Sequence, residues 1–130
     1  SDLIREIAIP IELDFMAVSS YNRGAQSSGN VLIKYDLQDD IRGKHVLIVE
    51  DIVDTGNTLM HLTRMLDARQ PESIKVCCLL NKQERRTAHV AVDYIGFEIP
   101  DEFVVGYGLD YAGKYRNYRE IGILKREIYG

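Results

Sequence analysis

The run Val-Leu-Ile-Val-Glu-Asp-Ile-Val-Asp-Thr-Gly-Asn-Thr-Leu at positions 46–59 constrains the fold of this chain more than any other stretch. Its first part is apolar and rich in β-branched residues, as in a buried strand. Its second part is small and hydroxyl-rich, and it leads into Leu59, Leu62 and Leu66. That i, i+3, i+7 spacing predicts an amphipathic helix over 58–69. A strand that passes through a tight polar turn into a helix belongs to an α/β architecture. In open α/β sheets, ligands bind at the carboxyl ends of the strands. Glu50 and Asp51 are expected at such an end, after a buried strand over 45–50. Asp54, Thr55, Gly56, Asn57 and Thr58 then fall at a helix N-terminus, where free amides and the dipole favour a phosphate. Paired carboxylates accept hydrogen bonds from vicinal ribose hydroxyls or help to organise Mg²⁺. Helix capping is the structural role open to Asp54 and Thr55. The joint occurrence of strand, acid pair and turn favours a phosphorylated ribose as the ligand.

The remaining segments extend the same architecture. Alternation over 11–19, a polar glycine-bearing loop over 20–30 and a returning strand over 31–35 read as a long hairpin. Gln70-Pro71 ends the helix, and 74–80 is an almost continuous apolar run, as expected in a parallel sheet. Further strands are expected over 90–95, 103–105 and 121–124. No repeat or low-complexity linker is visible, so 1–130 reads as a single domain.

Charge and composition exclude several classes. A formal net charge of -4 gives no electrostatic support for nucleic-acid binding. The short basic runs Arg85-Arg86 and Lys125-Arg126 read as solvated faces. Cys77 and Cys78 are adjacent in an apolar run, which supports neither a disulfide framework nor a zinc site and fits a reducing cytoplasm. No signal peptide or apolar run of membrane-spanning length occurs. His45, His61 and His89 match no metal-ligand or catalytic spacing.

The 46–59 run resembles the phosphoribosyl diphosphate (PRPP) motif of type I phosphoribosyltransferases. A Glu-Asp pair in place of two aspartates is similar to the 6-oxopurine branch. The run from Val92 to Asn117, with Phe103, Val104, Leu109, Asp110 and Arg116, is more specific; together the two resemble the hypoxanthine-guanine family of bacterial type, over essentially all 130 residues. The resemblance implies a mainly parallel central sheet flanked by helices, a mobile hairpin loop and a small C-terminal hood. It implies transfer of the 5-phosphoribosyl group from PRPP to hypoxanthine or guanine, with Mg²⁺ as cofactor and a homodimer or tetramer as the assembly. By position, Glu50 and Asp51 would face the ribose hydroxyls, and with Asp110 would serve the metal. Asp54 would handle the proton at purine N7, and Asp54, Thr55, Gly56, Asn57 and Thr58 would cradle the 5′-phosphate. Lys82 would bond the 6-oxo group, Phe103 would stack on the base, the Val104 backbone would read its edge, and Leu109 and Asp110 would lie beside it. Arg116 would contact pyrophosphate, and Ser20 and Tyr21 would belong to the closing loop. Taken alone, Phe103 would more often be core, Lys82 a surface lysine and Arg116 a surface ion-pair partner. Tyr107, Tyr111, Tyr115 and Tyr118 are expected near the site or at a subunit contact.

Other readings are a xanthine-preferring transferase, or a non-catalytic RNA-binding regulator on the same fold, which the acidic balance disfavours. Gln83 stands where the family often has proline; little effect is expected. Family members also carry an earlier strand–helix unit whose turn binds pyrophosphate, roughly 50 residues with its connections. Ser1–Ile7 reads as the tail of that helix, so a longer parent protein is expected.

Overall fold

The computed structural model describes residues 1–20 and 31–130. Its centre is a parallel three-stranded sheet, β3 (His45–Val53), β4 (Ser73–Asn81) and β5 (Tyr94–Glu98), in the order β3-β4-β5. Before it lie α1 (Asp2–Glu6) and an antiparallel hairpin of β1 (Ala17–Ser20) and β2 (Val31–Tyr35). After it, β6 (Val104–Val105) pairs with β7 (Gly122–Ile123), and α3 (Arg126–Tyr129) follows.

The crossover from β3 to β4 is α2 (Asn57–Asp67), one residue earlier at its start than its leucine spacing predicts. Leu59, Leu62 and Leu66 are buried against Ile48, Val53, Val76 and Cys78, and this cluster is the core. Each such side chain contributes about 1.5–3 kcal/mol on burial. Successive strand residues alternate faces. Thus Ile48 is buried, while Leu47 and Val49 on the other face stay exposed among the described residues. Cys77 and Cys78 divide in the same way: Cys77 is half-buried, Cys78 is buried, and both are free thiols.

β4, β6 and β7 differ from their expected bounds by one residue at one or both ends, and three larger differences have a physical reason. The first strand begins only at Ala17. Pro10 has no amide to donate, and the Asp14 carboxylate instead accepts the backbone amides of Gln38 at 2.9 Å and Asp39 at 3.2 Å. This ties 11–16 to the chain beyond β2 as irregular structure. The strand expected over 90–95 begins at Tyr94. Val90 and Val92 pack on the core from irregular chain, while Asp93 accepts Val76 N at 2.8 Å and Lys75 Nζ at 2.9 Å. Finally, β3 runs past both acids, because its pairing with β4 continues through Ile52↔Leu80 and Val53↔Asn81. Glu50 and Asp51 therefore lie within the strand, not beyond its end.

Leu66, 3% exposed, anchors the last turn of α2. Leu66→Ala is expected to cost about 2–5 kcal/mol, read as a lower denaturant midpoint with an unchanged m-value; a loss under about 1 kcal/mol would remove Leu66 from the core described above.

Candidate active site

The end of the β3–β4 ladder positions the site. Lys82 N donates to Val53 O at 2.9 Å, so the residues leaving the two strands run side by side. Asp54 leaves β3 and Lys82 leaves β4 at the carboxyl edge of one parallel sheet. Lys82 is 8% exposed, which separates it from an ordinary surface lysine.

The turn after β3 leaves the start of α2 without a side-chain cap. Gly56 takes the N-cap of α2 with φ +81° and offers no side chain. Among the described residues, the side-chain acceptor for this helix end is Thr55 Oγ1, at a long 3.4 Å from Asn57 N. The turn is fastened from outside: Thr55 O accepts both Thr87 N and Ala88 N at 3.0 Å. A Cβ on Gly56 would sit 2.9 Å from Arg86 Cδ and from Val90 Cγ1, so glycine is required by contact as well as by φ. An uncapped helix start with fixed backbone attracts a phosphate. The capping role does not account for Asp54, whose Oδ1 accepts Arg85 Nε at 3.1 Å; Thr55 fills it weakly, through the long bond from Asn57 N.

Glu50 and Asp51 present different environments. Glu50 is half-buried on the face of Ile48, and its carboxyl is pushed above the ordinary range by burial first and by the Asp51 charge second. Asp51 is exposed and accepts Ile52 N at 2.7 Å. No group of three or more His, Cys, Asp or Glu side chains converges as a metal cage among the described residues. The carboxylate pair still suits Mg²⁺, which is commonly held by one or two carboxylates with substrate phosphates and water. Asp110 stands apart from that pair: Oδ1 meets Arg116 Nη2 at 2.9 Å and Oδ2 accepts Gly113 N at 2.8 Å.

The remaining expected residues lie in the region around β6 and β7. Phe103, 37% exposed, belongs to an aromatic trio with ring centroids 5.6 Å from Tyr111 and 5.2 Å from Tyr129. Val104 is half-buried and Leu109 is buried. Arg116 donates to Gly108 O at 2.6 Å and pairs with Asp110. Among the described residues, no hydrogen bond or ion pair joins Phe103, Leu109, Asp110 or Arg116 to Glu50, Asp51, Asp54 or Lys82. Tyr115 and Tyr118 stack with centroids 5.8 Å apart, and Tyr107 OH bonds Asp2. Ser20 closes β1, and the Tyr21 expectation falls outside the described residues.

The reading of Arg85-Arg86 as a solvated face is corrected. Arg85 bonds Asp54, while Arg86 donates through Nε to Asp54 O at 3.3 Å and through Nη2 to Asn81 Oδ1. Asn81, 1% exposed, donates in turn to the Glu98 carboxylate at 2.9 and 3.0 Å. Asp101 pairs with Lys82 Nζ at 3.7 Å and Arg85 Nη1 at 3.4 Å. Arg85, Arg86, Asn81, Glu98 and Asp101 were not read as site residues from the sequence; the visible signal was a polar Asn at the end of an apolar run, followed closely by two arginines.

The fold is an α/β domain in which a helix without a side-chain cap follows a parallel strand that carries paired acids. The phosphoribosyl transferase domain model matches residues 1–112, and the chain belongs to that family. It is 52% identical to the hypoxanthine phosphoribosyltransferase of Haemophilus influenzae over 94% of this chain and 68% of that protein. It is 52% identical to the hypoxanthine-guanine phosphoribosyltransferase of Streptococcus pneumoniae, over 99% of this chain and 72% of that protein. The crystal structure of a Staphylococcus aureus hypoxanthine phosphoribosyltransferase superposes with a TM-score of 0.95 at 50% identity, covering 99% of this chain and 70% of that one.

The raised Glu50 carboxyl makes a pH prediction. A folded-state pKa above the unfolded value contributes stability at low pH that is lost as pH rises through the folded value. Glu50→Gln removes that loss. Ligand-free Glu50→Gln is expected to gain thermal stability relative to the wild type at about pH 7, and the gain should shrink toward about pH 4. Melting curves with an equal difference at both pH values would contradict the burial effect.

Proposed function

We propose that this chain is a purine-salvage enzyme that transfers the 5-phosphoribosyl group of PRPP to N9 of hypoxanthine or guanine, yielding IMP or GMP and pyrophosphate. The observation that carries the reading is the juxtaposition of Asp54 and Lys82 at one sheet edge, beside an uncapped helix start. Sequence identity near 52% to enzymes of that name supports it.

Each residue then has a physical task. The amides of the Thr55–Thr58 turn and the dipole of α2 receive the 5′-phosphate. Glu50 and Asp51 accept bonds from the ribose hydroxyls. Lys82 donates to the 6-oxo group; a 6-amino purine would set donor against donor and leave that N–H without an acceptor. As N9 bonds to C1′, the C1′–pyrophosphate bond breaks and the purine releases a proton, which Asp54 receives at N7. Phe103 stacks on the base and the Val104 backbone reads its edge, with Leu109 and Asp110 alongside. Arg116 meets the pyrophosphate charge once released from Asp110. Glu50 and Asp51 would hold Mg²⁺ and Asp110 a second Mg²⁺, which would supply charge neutralisation for the departing pyrophosphate. By the family resemblance, Ser20, at the end of β1, and Tyr21, outside the described residues, would belong to a loop that excludes water.

We assign 1–130 to one domain and infer a homodimer or tetramer in the cytoplasm. Two free cysteines fit a reducing compartment, and no helix among the described residues is long and apolar enough to cross a membrane.

Nucleotide formation from PRPP and Mg²⁺ with hypoxanthine, guanine, xanthine and adenine in parallel tests the reading. Hypoxanthine or guanine is expected to react best; adenine as the best substrate would overturn the Lys82 role, and xanthine as the best would move the specificity within the 6-oxopurines. Asp54→Asn is expected to lower kcat by about 10²-fold or more while PRPP affinity changes less than about threefold. Unchanged turnover in that variant would take Asp54 out of the proton transfer.

A further inference from the structure

Lys82 is buried, and a buried ammonium requires a counter-charge. Among the described residues, its ion-pair partner is Asp101, which lies three residues beyond the end of β5, with Oδ1 3.7 Å from Nζ. The other oxygen of Asp101 faces Arg85 Nη1 at 3.4 Å. Arg85 Nε donates to Asp54 Oδ1 at 3.1 Å. An unbroken ionic chain Lys82–Asp101–Arg85–Asp54 thus joins the donor assigned to the 6-oxo group with the carboxylate assigned to the N7 proton.

We propose that Arg85 and Asp101 are positioning residues for the purine, a bracket that holds Lys82 and Asp54 at a fixed separation before the base arrives. The inference rests on the transferase reading above.

The chemistry of each member suits this role. A guanidinium is planar and presents several N–H donors in fixed directions, so one side chain can engage two carboxylates at once. Arg85 does so through two different nitrogens, and the charges of Asp54 and then Asp101 hold it firmly protonated. A lysine at this position has a single point of charge and cannot reproduce the fork. The three outer members are each nearly half exposed, so the chain contributes little to overall stability. Its value is geometric: hypoxanthine and guanine offer O6 and N7 on the same edge, and the protein must meet both with groups carried on different strands. Lys82 comes from the end of β4, Asp54 from the end of β3, and Asp101 from the segment after β5. The bracket spans all three strands of the sheet at its carboxyl edge. Arg86 complements it by bonding the Asp54 carbonyl, so side chain and main chain of Asp54 are held by neighbouring arginines.

The test is a double-mutant cycle in the purified full-length protein, with Arg85→Ala, Asp101→Asn and both together, assayed with varied hypoxanthine and varied PRPP. Each single variant is expected to lower kcat/KM for hypoxanthine about fivefold while the KM for PRPP stays within about twofold. The double variant is expected to fall no further than the weaker single variant, since one broken link disables the bracket. Arg85→Lys is expected to behave like Arg85→Ala. Independent effects that multiply to about 25-fold, or full rescue by Arg85→Lys, would overturn the bracket while leaving the transferase reading intact. Arg85→Ala with unchanged hypoxanthine kinetics would do the same, and that arm stands alone because the variant leaves Lys82 paired. A wild-type protein that forms no nucleotide from any purine would instead bring down the transferase reading, and the bracket with it.

Discussion

The parallel register of β3 on β4 is the constraint from which the rest of the site follows. It pairs Val53 with Asn81 and continues into the Lys82 N–H bond to Val53 O. Because the strands are parallel, both emerge at the same sheet edge, and the residue after each is delivered to the same place. A change of register by one residue would reverse every side chain on β3 and remove Ile48 from the core. Position in the site and burial in the core are thus set by one pattern of backbone pairing, and neither can shift without the other.

The core on one side of the sheet stiffens that edge. α2 lays Leu59, Leu62 and Leu66 across Ile48, Val76 and Cys78, so its N-terminus is fixed where the turn leaves β3. The helix therefore serves both as the main apolar cover and as the source of free amides. The turn itself is braced by amides from Thr87 and Ala88 and by the Arg86 stem, all beyond β4. The free amides at the start of α2 are thus held by contacts from a distant part of the chain.

How much of this was legible in the sequence depends on range. The helix was readable because three leucines repeat at its own period, and the turn before it because Gly56 and its hydroxyl neighbours are contiguous. β4 was readable because an unbroken apolar run of that length suits a covered strand. The end of β3 was not, because Glu50 and Asp51 looked like the polar residues that follow a strand; only pairing with β4 carries the chain on to Val53. The irregular chain over 11–16 was hidden for a similar reason: its alternation is intact, and Asp14 bonds residues 24 and 25 positions away. Arg85 and Arg86 were misread because a dipeptide of arginines resembles any solvated surface, whereas their partner Asp54 is 31 and 32 positions upstream. The burial of Lys82 was equally invisible beside exposed Gln83 and Glu84. The resemblance to a transferase family supplied the candidate site residues, and the side chains bonded to Asp54 and Lys82 emerged only from three-dimensional contact.

Gly56 and Arg86 have a consequence for how this site can vary. A side-chain carbon at position 56 would fall 2.9 Å from the Arg86 stem and from Val90, so these distant parts of the chain share one small volume. Shortening the side chain at 86 opens the space beside 56 but unfastens the Asp54 carbonyl and Asn81. Enlarging 56 pushes the guanidinium off both partners. Neither position can drift on its own, and a compensating pair of changes would have to rebuild the polar tether as well as the volume. The phosphate turn is in this sense closed to gradual remodelling, and diversification of the site is left to the segments around the base.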